Sequence, residues 1–155
     1  MMGAGKTTIG ELLAKNLGVH FEDLDATIES IYKLSIDKIF SKYGERKFRT
    51  AETNVLLNSK AVIISCGGGI ILNKDNRNYI NKGISFFLNV DLNRLEKRLV
   101  DTNSRPLLNS YGLKEDLKTL WEKRESLYLE TADYIINVND EPPNEIAQKI
   151  SGYIK

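Results

Sequence analysis

Met1-Met2-Gly3-Ala4-Gly5-Lys6-Thr7-Thr8 opens the chain and decides how the rest is understood. It matches the closing half of a phosphate-binding loop, whose full pattern is Gly, four residues, then Gly-Lys-Ser/Thr. Gly5, Lys6 and Thr7 supply the closing triplet, and the leading Gly is missing. Gly3 and Gly5 permit a turn in which successive N–H groups face phosphate oxygens, and a helix starting near Lys6 adds the positive end of its dipole. Lys6 then reaches the β- and γ-phosphates, and the Thr7 hydroxyl joins the coordination shell of a Mg²⁺. Gly3, Ala4, Gly5, Lys6, Thr7 and Thr8 are therefore the candidate nucleotide-binding residues. The plainer alternative is a glycine turn before an ordinary helix, with a surface lysine.

Outward from this loop, helical and extended patterns alternate. Ile9, Leu12, Leu13 and Leu17 recur at helical spacing, with Gly18 as a left-handed stop. Val19 to Leu24 reads as a short strand ending in acidic residues, followed by a helical stretch with Ile28, Ile31 and Tyr32 on one side. Ser35 caps a helix that Gly44 closes, and another runs from Glu45 towards Ser59. Ala61-Val62-Ile63-Ile64 is a largely β-branched run suited to a strand covered on both faces, and it leads into Gly67-Gly68-Gly69. Ile84 to Val90 is a second such strand, with Asp91 capping the next helix. Asp101 to Gly112 breaks into a polar, proline-containing surface segment. Leu113 to Tyr128 resumes as a long helix, Tyr134 to Val138 is a last strand, and Pro143 starts a terminal helix.

Alternating strands and helices predict an α/β fold with a central parallel sheet, whose ligands bind at the carboxyl ends of the strands. Asp23, Asp25 and the triple glycine lie at such ends. A chain of 155 residues without linker, repeat or low-complexity segment is one domain, 1–155. Twenty-two basic residues nearly cancel 21 acidic ones, so no large nucleic-acid surface is indicated. One cysteine, Cys66, fits a reducing compartment, and no apolar run reaches the roughly 18 residues of a membrane span. Cytoplasm is the expected location, with no nucleic-acid or membrane partner.

Taken in order, the motifs resemble shikimate kinase. They are Met2 to Gly10, Asp23-Leu24-Asp25, Ser35-Ile36 with Ile39-Phe40, and Gly44-Glu45 with Phe48-Arg49 and Glu52. Gly67-Gly68-Gly69, Arg105-Pro106-Leu107-Leu108, and Arg124 with Leu127-Tyr128 complete the series. The resemblance implies a three-layer P-loop kinase fold of the nucleoside monophosphate kinase type. It also implies transfer of the γ-phosphoryl group of ATP, with Mg²⁺, to the 3-hydroxyl of shikimate, on the route to chorismate and the aromatic amino acids. A monomer is expected.

The resemblance further implies roles that the chemistry supports. Shikimate is a small carboxylate with several hydroxyls, so Arg49 and Arg124 match its carboxylate and Asp25 its attacking hydroxyl. Asp23 lies near Mg²⁺ through a water, with Thr7 as the direct ligand and Ser65 close by. Gly67, Gly68 and Gly69 let backbone approach the substrate. Glu52, one turn beyond Arg49, is suited to hold its guanidinium. Arg105 lies in the segment matching the family's lid, about 101–112, and acts on the transferring phosphoryl group. Arg98 and the turn at Pro142 and Pro143 match positions that pack on adenine. Tyr128 and Trp121 read as packing, and Cys66 as a small residue whose thiol, if accessible, makes activity sensitive to alkylation.

Relatives place an apolar strand of about five to seven residues before the loop, central in the sheet; the expectation is that this first strand is missing here, leaving two neighbours without ladder partners. Two other readings stay open. One is a shortened, non-catalytic kinase-like domain that binds ligand weakly or self-associates through the open sheet. The other is another small-molecule P-loop kinase, such as a gluconate or nucleoside kinase; a carboxylate-free substrate would make poor use of Arg49 and Arg124.

Overall fold

The structure, a computed structural model, describes residues 1–100 and 112–154. Glycine sets both ends of the first helix. Gly5 enters α1 (Lys6–Leu17) in the left-handed region at φ 83°, and Gly18 leaves it at φ 66°, its N–H turning back to the carbonyls of Ala14 and Lys15. Ile9, Leu13 and Ala14 form the buried side of α1, which packs against β2 (Ile63–Ser65) and α7 (Pro143–Ser151).

β1 (Phe21–Asp23) pairs in parallel with β2, Phe21 opposite Ile63 and Asp23 opposite Ser65. The extended geometry expected through Leu24 stops one residue sooner. Asp23 is at once the last strand residue and the N-cap of α2 (Leu24–Tyr32), its Oδ1 accepting from the Ala26 N–H at 3.2 Å. Asp25 therefore stands in the first turn of α2.

α3 (Ile36–Asn58) is two helices meeting at Gly44, which sits at φ 78° and ψ 164°. The expected stop at Gly44 and restart at Glu45 are both present. Beyond β2 come a 3₁₀ turn (Ile70–Leu72) and α4 (Lys74–Ile80), neither of which apolar periodicity had signalled. Polar groups hold them: Asn73 caps α4, and Asn76 and Arg77 donate back to the carbonyls of Ile70 and Ile71 at 3.3 and 2.7 Å.

β3 (Phe86–Asn89) pairs in parallel with β4 (Tyr134–Asn137). Ser85 N–H and Oγ both donate to Asp133 Oδ2, at 2.7 and 2.8 Å, fixing the register where the two strands begin. Asp91 caps α5 (Leu92–Leu99), which packs on α6 (Leu113–Thr131). Pro143 occupies the first turn of α7, where its missing N–H costs nothing.

Among the described residues, β1–β2 and β3–β4 share no ladder. A slot of about 650 Å³ separates them, lined by Ile63, Ile64 and Cys66 on one side and Phe86 to Leu88 on the other. Val62, read as a doubly covered position, is 68% exposed. One apolar cluster nonetheless runs through both halves, joining Ile9, Leu13, Leu24 and Leu56 to Phe87, Leu88, Leu95 and Ile136. No helix among the described residues is long and apolar enough to cross a membrane.

A Cβ at Gly44 meets nothing within 4 Å, so only backbone strain opposes a side chain there. Gly44→Ala is expected to lower unfolding free energy by about 1–3 kcal/mol in urea titrations. An unchanged midpoint would mean that α3 has no need of its break.

Candidate functional site

The loop turns as its glycines require. Gly3 and Gly5 have φ 74° and 83°, conformations that L side chains avoid. The Lys6 ammonium folds back to donate to the Met1 carbonyl at 3.0 Å, and Arg98 on α5 donates to the Gly3 carbonyl at 3.2 Å. The loop is thus gripped from within and from the other half of the sheet. Thr7 and Thr8 are exposed at the first turn of α1.

Thr7 Oγ1 donates to Asp23 Oδ2 at 2.5 Å, so the two residues assigned to the metal meet at the carboxyl end of β1. Ser65 is the register partner of Asp23. These are hard oxygen donors at a helix N-terminus, and among the described residues no group of three His, Cys, Asp or Glu gathers that could hold a metal ion. Such a donor set suits Mg²⁺, which keeps several waters and takes phosphate oxygens in preference to an all-protein cage.

Asp25, Arg49, Glu52 and the glycine segment converge from α2, α3 and the chain beyond β2. A Cβ at Gly67 would lie 2.8 Å from both Asp25 Oδ1 and Glu52 Oε1, and one at Gly69 would overlap the Arg49 guanidinium. A side chain at either position would push these charged ends aside. Arg49 donates through Nη1 to Glu52 Oε2 and through Nη2 and Nε to Glu45 Oε1, at 3.1 and 3.2 Å. It also lies over the Phe48 ring at 5.3 Å and the Phe40 ring at 6.0 Å, two rings that pack on each other with centroids 4.7 Å apart. Glu52 is 1% exposed and its Oε1 has no hydrogen-bond partner. Burial pushes its carboxyl above the ordinary value even though Arg49 pulls the other way.

Arg124 is 4% exposed on α6 and lies close enough to Glu52 and Tyr128 to affect the ionisation of both. Every residue assigned to the substrate is therefore in one neighbourhood. Pro143 is exposed at the start of α7, and the preceding turn is tied to α5 by Arg94 and Asp140, whose Nη2–Oδ2 distance is 2.9 Å. Arg105 and the segment assigned as the lid, up to residue 111, lie outside the described residues.

Two residues of this neighbourhood escaped the sequence. Glu45, the second carboxylate on Arg49, stands at the i,i+4 position that would have signalled it. Tyr128, read as packing, also donates its hydroxyl proton to the Gly68 carbonyl at 2.6 Å. Its place one turn after Arg124 was visible, but its partner 60 residues away was not.

Cys66 lines the slot, and burial pushes its thiol up to about 12. The thiol is half-buried and faces the slot, and its raised pKa rather than its inaccessibility lowers its reactivity. At pH 8 such a group is thiolate in about one molecule in ten thousand, so iodoacetamide should modify the native protein far more slowly than the protein in urea. Equal rates, read by intact mass, would contradict the raised pKa.

A family profile described as shikimate kinase matches residues 2–155. The shikimate kinase of Nostoc punctiforme is 40% identical over 153 residues, covering 97% of this chain and 84% of the relative. That of Thermodesulfovibrio yellowstonii is likewise 40% identical over 153 residues, covering 96% of this chain and 88% of the relative. Among solved structures, shikimate kinase from Acinetobacter baumannii in complex with shikimate superposes with a TM-score of 0.94 at 39% identity, covering 99% of this chain and 88% of that one. Shikimate kinase from Bacteroides thetaiotaomicron gives 0.87 at 33% identity, covering 99% and 93%. With this agreement in sequence and in fold over nearly its whole length, the chain belongs to the shikimate kinase family.

Proposed function

We infer that the chain moves the γ-phosphoryl group of ATP onto the 3-hydroxyl of shikimate, giving shikimate 3-phosphate and ADP. The observation that carries this is the convergence of Asp25, Arg49 and the Gly67–Gly69 segment beside a phosphate-binding loop. A carboxylate to take up a hydroxyl proton and a guanidinium for the substrate's own carboxylate stand within one small volume.

The division of labour follows from the chemistry. Gly3 to Thr8 hold the polyphosphate by backbone N–H groups, and Lys6 releases the Met1 carbonyl to neutralise charge on the transferring group. Thr7 and Asp23 are the residues that would hold Mg²⁺, which supplies charge neutralisation across the β- and γ-phosphates. Arg49 and Arg124 orient shikimate by its carboxylate. Asp25 accepts the hydrogen bond of the attacking hydroxyl and receives its proton as the new P–O bond forms and the bond to ADP breaks. Arg98 and Pro143 are assigned to adenine. Arg105, on its sequence position alone, is assigned a further positive charge at the phosphoryl group. A monomer in the cytoplasm completes the proposal; a single thiol, Cys66, fits a reducing compartment.

A coupled ADP-release assay with Mg²⁺-ATP should show release that depends on shikimate; its absence would sink the proposal. Lys6→Ala is expected to lower kcat by about 10²–10³-fold, as loss of a transition-state cation does. Asp25→Asn should lower kcat by about 10²-fold or more while leaving ATP affinity near that of the parent. Arg49→Ala should raise the KM for shikimate at least about tenfold, and an unchanged value would refute its assignment.

A further inference from the structure

The Tyr128 hydroxyl has one proton to give and two lone pairs to offer. The proton goes to the Gly68 carbonyl at 2.6 Å, and Arg124, buried one helical turn earlier on α6, stands at the i,i+4 position beside it. The hydroxyl therefore joins the helix carrying one substrate-facing cation to the middle residue of the glycine segment.

The ring gives this junction a fixed base. Tyr128 is buried and stacks on Phe87 with centroids 4.8 Å apart and planes at 8°, with Trp121 further along at 6.3 Å. Such a ring has little freedom to swing, so the oxygen at its tip holds its place. On the other side, a Cβ at Gly68 would lie 3.2 Å from the hydroxyl, so the backbone approaches as closely as it does because no side chain stands there.

The Gly68 carbonyl belongs to the same planar unit as the Gly69 N–H, and all peptide bonds described are trans. Carbonyl and N–H of a trans peptide point in opposite directions. Fixing the carbonyl on Tyr128 therefore fixes the line of the Gly69 N–H, which points away from the hydroxyl.

We propose that Tyr128 is a positioning residue for the substrate carboxylate: one hydroxyl sets both the direction of the Arg124 guanidinium and the plane of the Gly68–Gly69 peptide. Tyr128 touches neither substrate nor phosphate, and acts through these two groups. The inference rests on the functional reading above.

Tyr128→Phe keeps the ring and its stacking and removes only the hydroxyl. The KM and calorimetric Kd for shikimate should rise about tenfold, with the KM for ATP within about twofold of the parent. In an Arg124→Ala background the same change should have a much smaller effect on shikimate affinity, because the two residues act as one unit. A parent chain that binds no shikimate overturns the functional reading, and this inference with it. A parent that binds shikimate as well as its Tyr128→Phe variant overturns this inference alone. Equal losses for shikimate and ATP, or full additivity with Arg124→Ala, also overturn it, since either would mark Tyr128 as a support of the fold.

Discussion

Among the described residues the two pairs of parallel strands exchange no backbone hydrogen bonds, so packing joins them. In this protein that task falls to α1 and to the glycine loop that launches it. α1 packs on β2 and on α7, and so touches both halves, while Arg98 reaches from α5 to the Gly3 carbonyl. The shared apolar cluster supplies the bulk of the cohesion, each fully buried leucine or isoleucine contributing about 1.5–3 kcal/mol. The loop can occupy this crossing only because Gly3 and Gly5 accept left-handed backbone.

Local choices then place charge with little freedom. Asp23 ends β1, caps α2 and receives the Thr7 hydroxyl, so a single carboxylate joins strand, helix and loop. Arg49 is confined by two carboxylates and two aromatic faces, which removes most of the rotamer freedom an arginine would otherwise lose on meeting an anion. The orphaned oxygen of Glu52 beside Gly67 is the cost of holding that cation in a dry place.

Legibility followed the range of the interaction. α1, the break at Gly44, the cap at Asp91 and the start of α7 at Pro143 are written in single residues with strong local preferences, and all are where the sequence puts them. The candidate site was legible because Asp25, Arg49 and the triple glycine each belong to a recognisable motif. Helix α4 was not, since Lys74 to Ile80 has no apolar stripe and is held by side chains that return to carbonyls. Tyr128 was half legible: an aromatic residue at helical spacing announces packing, whereas a hydroxyl partner far along the chain leaves no local trace. The early onset of α2 was missed because Asp23 serves strand and helix together.

The crossing point of the two half-sheets is also the place where a polyphosphate would rest, and that coincidence ties two quantities together. Any ligand gripped jointly by α1 and by groups anchored in the other half resists the parting of the halves along the slot. By linkage, whatever favours the closed seam raises the hold on phosphate until the closed state is fully populated.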